Sequence, residues 1–477
     1  MSADSQMLFT DLKFFVFFST VLLVYWNLGT NNARKWFLLA ASYFFYGSWD
    51  WRFAVMLAVL SYGDYFFARR IGDSTDALIR KRYVTASVAM NLGVLGIFKY
   101  FNFFLSTGVK FATTLGFRLD QPTLAIILPV GVSFFTFQSL SYTIDVYRGE
   151  ITAVRRPRDY MLFAAFFPQL VAGPIVRPKY FLPQLESSRV VDYLLVRQAL
   201  VLFLLGFIKK ACIADNVSPY VDAVFNSPLQ YRNMAVVDGV WLYAVQIYCD
   251  FSGYSDMAIA VAAFMGYRLS PNFDSPYLAS SLQNFWRRWH ISLSTWIRDY
   301  IYLSLGGRSE NRFITYRNIL YTMLAGGLWH GASWTFVAWG GLHGLGQVTQ
   351  QEFKRTRVSG WLPEGGLRRT LSWFLTIEFV CICWILFRAP NFSAALAIAA
   401  RYLFLADGGS LPLPLPVRLT LLGPALLVLH FFFNRFRLAE RFATAPSAVY
   451  WFGTGLIWAW AVSMLPLGNR PFIYFQF

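Results

Sequence analysis

The chain has 477 residues, of which 56% are hydrophobic and 14% are charged, and its formal net charge is +17. Soluble proteins carry roughly 25% charged residues, so this composition excludes an ordinary soluble domain and indicates an integral membrane protein. The basic residues cluster in short gaps between apolar runs, as at 34–35, 69–82 and 155–158. This placement is typical of topology signals that contact anionic lipid headgroups, and it argues against nucleic-acid binding.

Apolar runs recur from one end of the chain to the other. Because a helix needs about 17 residues or more to cross a bilayer, we expect about 10 to 12 transmembrane helices in one all-α domain, residues 1–477. The basic gaps place the N-terminus outside the cytosol, on an uncleaved first span. Helices are predicted near Leu12–Leu28, Trp36–Tyr46, Phe53–Phe67, Val84–Leu105, Leu124–Ile144, Val196–Ile208, Val236–Phe264, Ser372–Leu386, Leu419–Phe433 and Tyr450–Leu465.

Two features of the middle third are less regular. The stretch Phe163–Val176 contains two prolines and a glycine, which predicts a re-entrant or buried irregular segment. Further on, Asp250 and Asp256 interrupt a long apolar run. Carboxylates at membrane depth are costly, so we expect them to pair with nearby arginines or to line a polar cavity, with pairing favoured.

Three of the four histidines lie between residues 283 and 346. Taken as one helix, residues 286–299 place His290 with tryptophans on an apolar face and Arg287 and Arg288 on the opposite face. His290 therefore has two interpretations, a functional side chain or a core histidine bonded to a carbonyl. The basic face also has two interpretations, since it could bind lipid phosphate or the phosphates of a donor molecule.

A second helix is predicted over residues 319–346. Gly327 and Gly331, and likewise Gly340 and Gly344, place small residues four apart, which lets neighbouring helices approach closely. A histidine in apolar packing is competent as a general base, so His330 is a catalytic candidate, with a structural hydrogen bond as the alternative. His343 lies about 220° further round the same helix and is not expected to join His330.

Six segments, in order along the chain, resemble the membrane-bound O-acyltransferase family. The resemblance is greatest to the bacterial branch containing the alginate O-acetylation membrane subunit, and the D-alanyl transferase of teichoic acid synthesis is more distant. The segments are PVGVSFFTFQ at 129–138, FPQLVAGPI at 167–175, YCDFSGYSD at 248–256, the stretches 284–307 and 324–343, and PFIYFQF at 471–477.

The resemblance implies an acyltransferase in which His330 matches the family's catalytic histidine. His290 matches a second position that holds Asn or Asp in other branches. The resemblance also implies re-entrant and amphipathic helices around a central funnel. This funnel opens to the outer face of the membrane and meets a channel from the cytosol near His330. Neither a permanently bound cofactor nor a metal is expected. We expect the donor to be bound by Asn284, Trp286, Arg287 and Arg288. The two arginines would hold the phosphates of coenzyme A.

The implied reaction passes acetyl from cytosolic acetyl-CoA across a bacterial inner membrane for O-acetylation of an extracytoplasmic polysaccharide. The N-terminus would then be periplasmic. Since many relatives work with a second enzyme, a periplasmic SGNH-type acetyltransferase is the expected partner. Alginate, cellulose and peptidoglycan all stay open as acceptors. The alternatives are transfer of D-alanine or another acyl group, and a polysaccharide export subunit, which predicts inverted repeats that the sequence lacks.

Overall fold

A computed structural model describes residues 7–117, 127–170, 173–357, 365–404, 409–412, 419 and 421–466. Over these residues the chain is helical without strands, apart from one isolated bridge between Tyr231 and Leu411. The predicted all-α class is confirmed for them. The chain divides into two compact units, Met1–Ala199 with Ala258–Ser270, and Leu200–Met257 with Pro271–Phe477. That the whole chain forms one domain stays a prediction.

The helices of the first unit follow the predicted apolar runs. They are α1 (Leu12–Asn27), α2 (Asn31–Gly47), α3 (Trp51–Asp73), α4 (Ala77–Leu95), α5 (Phe101–Thr114), α6 (Val132–Arg148), α7 (Pro157–Ala165), α8 (Phe167–Leu170), α9 (Pro178–Phe181) and the start of α10 (Tyr193–Phe207). A π-helical turn, Gly96–Tyr100, joins α4 to α5 without a break. Thr30 and Asp76 begin α2 and α4 with side chains that accept a backbone N–H, the usual N-cap arrangement.

Helix α6 begins later than the predicted run Leu124–Ile144, part of which lies outside the described residues. It starts at Val132 because Pro129 lacks an N–H, and Gly131 adopts the left-handed conformation (φ 74°) that favours glycine. The predicted irregular stretch is confirmed up to Leu170: α7 ends at Ala165, and α8 lasts four residues. Residues 171–172 lie outside the described part of the chain.

The second unit carries the remaining helices. They are the end of α10, α11 (Asp215–Asn226), most of α12 (Asn233–Phe264), α13 (Leu282–Arg288), α14 (Ile291–Ile297), α15 (Arg312–His330), α16 (Trp334–Phe353), α17 (Gly366–Arg388), α18 (Phe392–Phe404), α19 (Leu422–Phe436), α20 (Leu438–Ala443) and α21 (Ser447–Ser463). The segment PFIYFQF at 471–477 lies outside the described residues.

The acidic residues that interrupt α12 are paired, as predicted, but with lysines and not with arginines. A π-helical turn after α10 carries Lys209 and Lys210. Lys210 Nζ lies 2.6 Å from Asp250 and 2.7 Å from Asp215, and Lys209 pairs with Asp256. Because Lys210 is fully buried, these carboxylates compensate a charge that would otherwise be very costly at this depth.

Two helical stretches are long and apolar enough to cross a membrane by length and composition alone, Ala77–Thr114 and Gly366–Arg388. Shorter apolar helices cover Leu12–Asn27, Phe392–Phe404 and Leu422–Phe432. Large apolar side chains also point outwards, such as those of Phe44, Phe111 and Leu375. An outer surface of this kind is typical of contact with lipid.

Candidate active site

The predicted continuous helix over residues 286–299 is wrong. Helix α13 ends at Arg288, Trp289 is extended, and His290 takes a left-handed conformation (φ 43°, ψ 56°) before α14 begins at Ile291. The Trp289 ring is buried and packs against two rings outside α13, Phe273 at 5.1 Å and Trp384 at 5.0 Å. These tertiary contacts override the local periodicity that predicted one helix.

Asn272 holds the start of α14 in place. Its side-chain oxygen accepts hydrogen bonds from the backbone N–H and the hydroxyl of Ser292, at 3.1 and 2.9 Å. Its side-chain amide donates to the Ser255 hydroxyl at 3.2 Å, and its carbonyl accepts from Ile291 N–H. These bonds satisfy donors that a helix start leaves open, and they fix the residue directly before them, His290.

The predicted single helix over residues 319–346 is also two helices. Helix α15 ends at His330, Gly331 is extended, and the side chain of Ser333 caps α16. The two helices pack against each other at Gly327 and Gly340: a methyl group added at Gly340 would lie 2.2 Å from a backbone oxygen of α15. Close approach at the spaced glycines, predicted from the sequence, is therefore confirmed at these two positions.

His330 ends α15 inside an aromatic shell and faces a cavity. Its ring centroid lies 5.0 Å from Trp329, 5.0 Å from Trp339 and 5.2 Å from Phe387. The imidazole is 3% exposed, yet it lines a cavity of about 380 Å³. This volume is within the range of small-ligand sites. The cavity therefore gives a small molecule access to an otherwise buried histidine.

His290 lies next to His330 although 40 positions separate them in sequence. The two ring centroids are 6.3 Å apart, and Phe251 of α12 packs edge-on against His290 at 4.6 Å. His290 is fully buried and is not among the residues that line the cavity. The structure thus brings the two predicted catalytic histidines together but gives only His330 direct access to the cavity.

His343 comes closer to His330 than the sequence predicted. The break after α15 reverses the chain, so Trp339 packs against both His330 at 5.0 Å and His343 at 4.9 Å. Trp286 also contacts His343 edge-on, at 5.1 Å. Neither ring nitrogen of His343 has a hydrogen-bond partner among the described residues. His343 is an enclosed neighbour of the site and does not line the cavity.

The four predicted donor-binding residues fall into two pairs. Trp286 and Arg287 line the cavity, and no carboxylate of the described residues lies within ion-pair distance of Arg287. Arg288 points elsewhere, donating to the Asn284 side chain at 2.8 Å and to the Asp274 backbone oxygen at 3.0 Å. This second pair braces α13 and does not line the cavity.

Sequence reasoning missed much of the cavity wall. Polar side chains from helices α13 to α16 and from the π-helical turn after α14 line it: Gln283, Ser294, Thr295, Arg298, Thr322, Gln347 and Gln351. The two glutamines offered a signal, because they follow each other by four residues in α16 and so share one helix face. Trp339 and Phe387 gave none, since tryptophan and phenylalanine are common throughout this chain.

Taken together, these residues form a cavity that one imidazole, that of His330, helps to line. Its wall is largely apolar, with hydroxyl and amide groups at intervals and Arg287 on one side. Such a cavity suits a slender molecule with scattered polar groups, whose reactive end reaches the histidine. A buried imidazole next to a reacting carbonyl is placed for proton transfer.

Comparison with known proteins agrees with this chemistry. The profile of the MBOAT, membrane-bound O-acyltransferase, family matches residues 156–387. The chain is 38% identical over 403 residues to "Probable alginate O-acetylase AlgI" of Azotobacter vinelandii, covering 84% of this chain and 79% of that protein. The protein of the same name from Pseudomonas aeruginosa is 39% identical (82% and 73% covered). "Peptidoglycan O-acetyltransferase" of Helicobacter pylori is 33% identical (82% and 78% covered).

Proposed function

We propose that this chain takes acetyl from cytosolic acetyl-CoA and delivers it across the inner membrane of a bacterium. The premise is that the chain belongs to the membrane-bound O-acyltransferase family and is an acyltransferase. The destination is an extracytoplasmic polysaccharide, alginate or another cell-surface glycan. The observation that carries the proposal is the position of His330 on a cavity that suits a slender acyl donor. The names of the O-acetylating relatives support acetyl as the transferred group.

In the proposed reaction, His330 acts as a general base. It accepts the proton of an acceptor hydroxyl while the hydroxyl oxygen attacks the thioester carbonyl carbon. The carbon–sulfur bond then breaks, the thiolate leaves, and the imidazolium returns the proton to sulfur. General acid–base catalysis of this kind contributes about 10²- to 10⁴-fold in rate. A transient acyl group on His330 is the variant of this scheme, and labelled acetyl remaining on the protein would identify it.

The other predicted residues have supporting roles in this proposal. His290, with its ring 6.3 Å from that of His330, assists on the donor side by orienting the catalytic imidazole. Trp286 and Arg287 contact the donor inside the cavity that they line. Arg288 and Asn284 act through α13, because they bond to each other, and this bond keeps Arg287 facing the cavity.

We further propose that the protein is multi-pass, with about 10 to 12 spans and a periplasmic N-terminus, and that a periplasmic SGNH-type acetyltransferase receives the acetyl group. The outward-facing apolar side chains of α2, α5 and α17 support immersion in lipid. The basic gap at 69–82 supports a cytosolic position for the loop after α3. A cysteine placed at Ser74 should accordingly react with a membrane-impermeant thiol reagent only from the cytosolic side.

The central experiment uses purified protein in nanodiscs with radiolabelled acetyl-CoA and a candidate periplasmic partner. We expect wild type to consume the thioester and His330→Gln to lose about 10²- to 10⁴-fold of the rate. His343→Gln is the matched control, since it changes a buried histidine that contacts the same tryptophan but does not line the cavity. Equal rates for wild type and His330→Gln would refute the catalytic role. Activity only with a D-alanyl carrier protein would change the acyl group.

A further inference from the structure

A second cavity, of about 370 Å³, lies where the start of α15 meets the end of α16. Three arginines line it, Arg308, Arg312 and Arg355, together with hydroxyl groups of Thr315 and Tyr316. Planar guanidinium groups with neighbouring hydroxyls are the usual protein ligands of phosphate. One carboxylate, that of Glu310, lies in the same lining, so the cavity carries a net positive charge.

Glu352 already occupies these donors. One of its carboxylate oxygens accepts from Arg355 at 3.0 Å and from the Tyr316 hydroxyl, and the other lies 3.7 Å from Arg312. Three donors therefore converge on one anionic group. The side chains of Arg312 and Arg355 are about half exposed and that of Glu352 is 39% exposed, so the ion pairs are weak and an incoming anion can displace the carboxylate.

The two cavities adjoin, because Gln351 lines both of them. Along α16, Gln351 lies about 18 Å from Trp339 at the helical rise of 1.5 Å per residue, and Trp339 packs against His330. A pantetheine arm has about 13 bonds between phosphorus and sulfur, which span about 16 Å when extended at roughly 1.2 Å per bond. A phosphate near the arginines would therefore place the thioester close to His330.

We propose that Arg308, Arg312 and Arg355 bind the phosphate of the donor's pantetheine arm, and that Glu352 is an internal counter-ion that this phosphate displaces. The inference rests on the proposed function, since it assumes a thioester donor on that arm. It differs from the sequence prediction that Arg287 and Arg288 hold the phosphates. In this arrangement Arg287 contacts the arm inside the first cavity, and the phosphate stays outside it.

Binding of coenzyme A without an acyl group tests the proposal independently of catalysis. Dissociation constants are measured for the protein in nanodiscs with radiolabelled coenzyme A. We expect Arg312→Gln and Arg355→Gln each to raise the constant about tenfold, the scale of one partly exposed charge-assisted hydrogen bond. Glu352→Gln removes the competing anion and should lower the constant by about threefold. The opposite signs distinguish a displaced counter-ion from a general loss of structure.

Arg437→Gln is the matched control, because this exposed arginine also pairs with a glutamate, Glu440, but lines neither cavity, so binding should not change. Unaltered binding in Arg312→Gln and Arg355→Gln, or a larger loss in Arg287→Gln, overturns the proposal even where acetyl transfer is intact. Wild type that binds coenzyme A but transfers no acetyl refutes the proposed function alone. Wild type that binds neither coenzyme A nor 4′-phosphopantetheine refutes both.

A parallel titration with 4′-phosphopantetheine distinguishes the two sources of this phosphate. Equal affinity for phosphopantetheine and coenzyme A, with the same response to Arg312→Gln, shows that the phosphate on the pantetheine arm is sufficient without the nucleotide, as it would be on a carrier protein. Binding of coenzyme A alone assigns the site to the nucleotide pyrophosphate. Either result keeps the arginine site, whereas a substitution that leaves both constants unchanged overturns it.

Discussion

The crossing of α15 and α16 offers a direct test of how finely this site is positioned. Gly340→Ala adds one methyl group, which would lie 2.2 Å from the Met323 backbone oxygen of α15. Ordinary contact begins at 3.4 Å, so the helices must separate by about 1.2 Å (3.4 − 2.2). The obstacle is backbone and not a flexible side chain, which means that no rotamer change relieves it.

This separation moves the two residues that meet across the crossing, His330 on α15 and Trp339 on α16. Overpacking of this kind costs about 1 to 3 kcal/mol of stability. A misplacement of about 1 Å costs catalysis about 10²-fold. We therefore expect Gly340→Ala to reduce acetyl-CoA consumption about 100-fold while lowering the thermal unfolding temperature only moderately. Both quantities are measured on the same protein in detergent, which separates a distorted site from an unfolded one.

Gly341→Ala provides the neighbouring control. A methyl group there would lie 3.4 Å from the Leu324 side chain, an ordinary contact. Alanine also favours a helix interior over glycine by about 1 kcal/mol, so this variant should keep its activity and gain slight stability. Full activity and an unchanged unfolding temperature in Gly340→Ala would refute the reasoning, because they would mean that the crossing is not tight.

Three further substitutions test the same unit. Lys210→Met leaves the buried carboxylates of Asp250 and Asp215 without their cation and should destabilise the protein by about 3 to 5 kcal/mol. Asp250→Asn should destabilise it less, because Lys210 keeps its ion pair with Asp215. Thermal unfolding of both variants tests this order of stability. Asn272→Ala removes the side-chain bonds that hold Ser292 at the start of α14. Because α14 follows His290 and also supplies Ser294 and Thr295 to the cavity wall, kcat should fall and KM should rise, and unchanged values of both would contradict the argument.

Much of the fold could be predicted because long apolar runs specify helices whatever surrounds them. Each predicted run from Leu12–Leu28 to Tyr450–Leu465 overlaps a helix within the described residues, although α6 begins only at Val132. The predictions failed where a helix is interrupted inside an apolar run, as after Arg288 and after His330. Neither break has a proline, and burial of Trp289 and capping by Asn272 come from contacts that the local sequence does not contain.

The same limit explains which parts of the site were predictable. The sequence singles out His330 and His290 because histidine is rare here and because family motifs mark both positions; their catalytic roles stay predictions. The helical face predicted that Arg287 and Arg288 point the same way, whereas only Arg287 lines the cavity and Arg288 bonds to Asn284 and Asp274. The donor-binding role of both arginines stays a prediction. Arg312 and Arg355 lie in separate basic gaps, and only the antiparallel packing of α15 and α16 brings them to one cavity.

The two helix breaks are what bring the histidines together. If α13 and α14 formed one continuous helix, His290 would share a face of that helix with Trp286 and Trp289. The extended Trp289 and the left-handed His290 instead turn the imidazole towards the end of α15, where His330 stands. A left-handed residue other than glycine costs free energy, and the buried packing of Trp289 offsets it. Substitutions that restore a helical course through 289–290 should therefore separate the two rings, and acyl transfer should fall although every predicted site residue is still present.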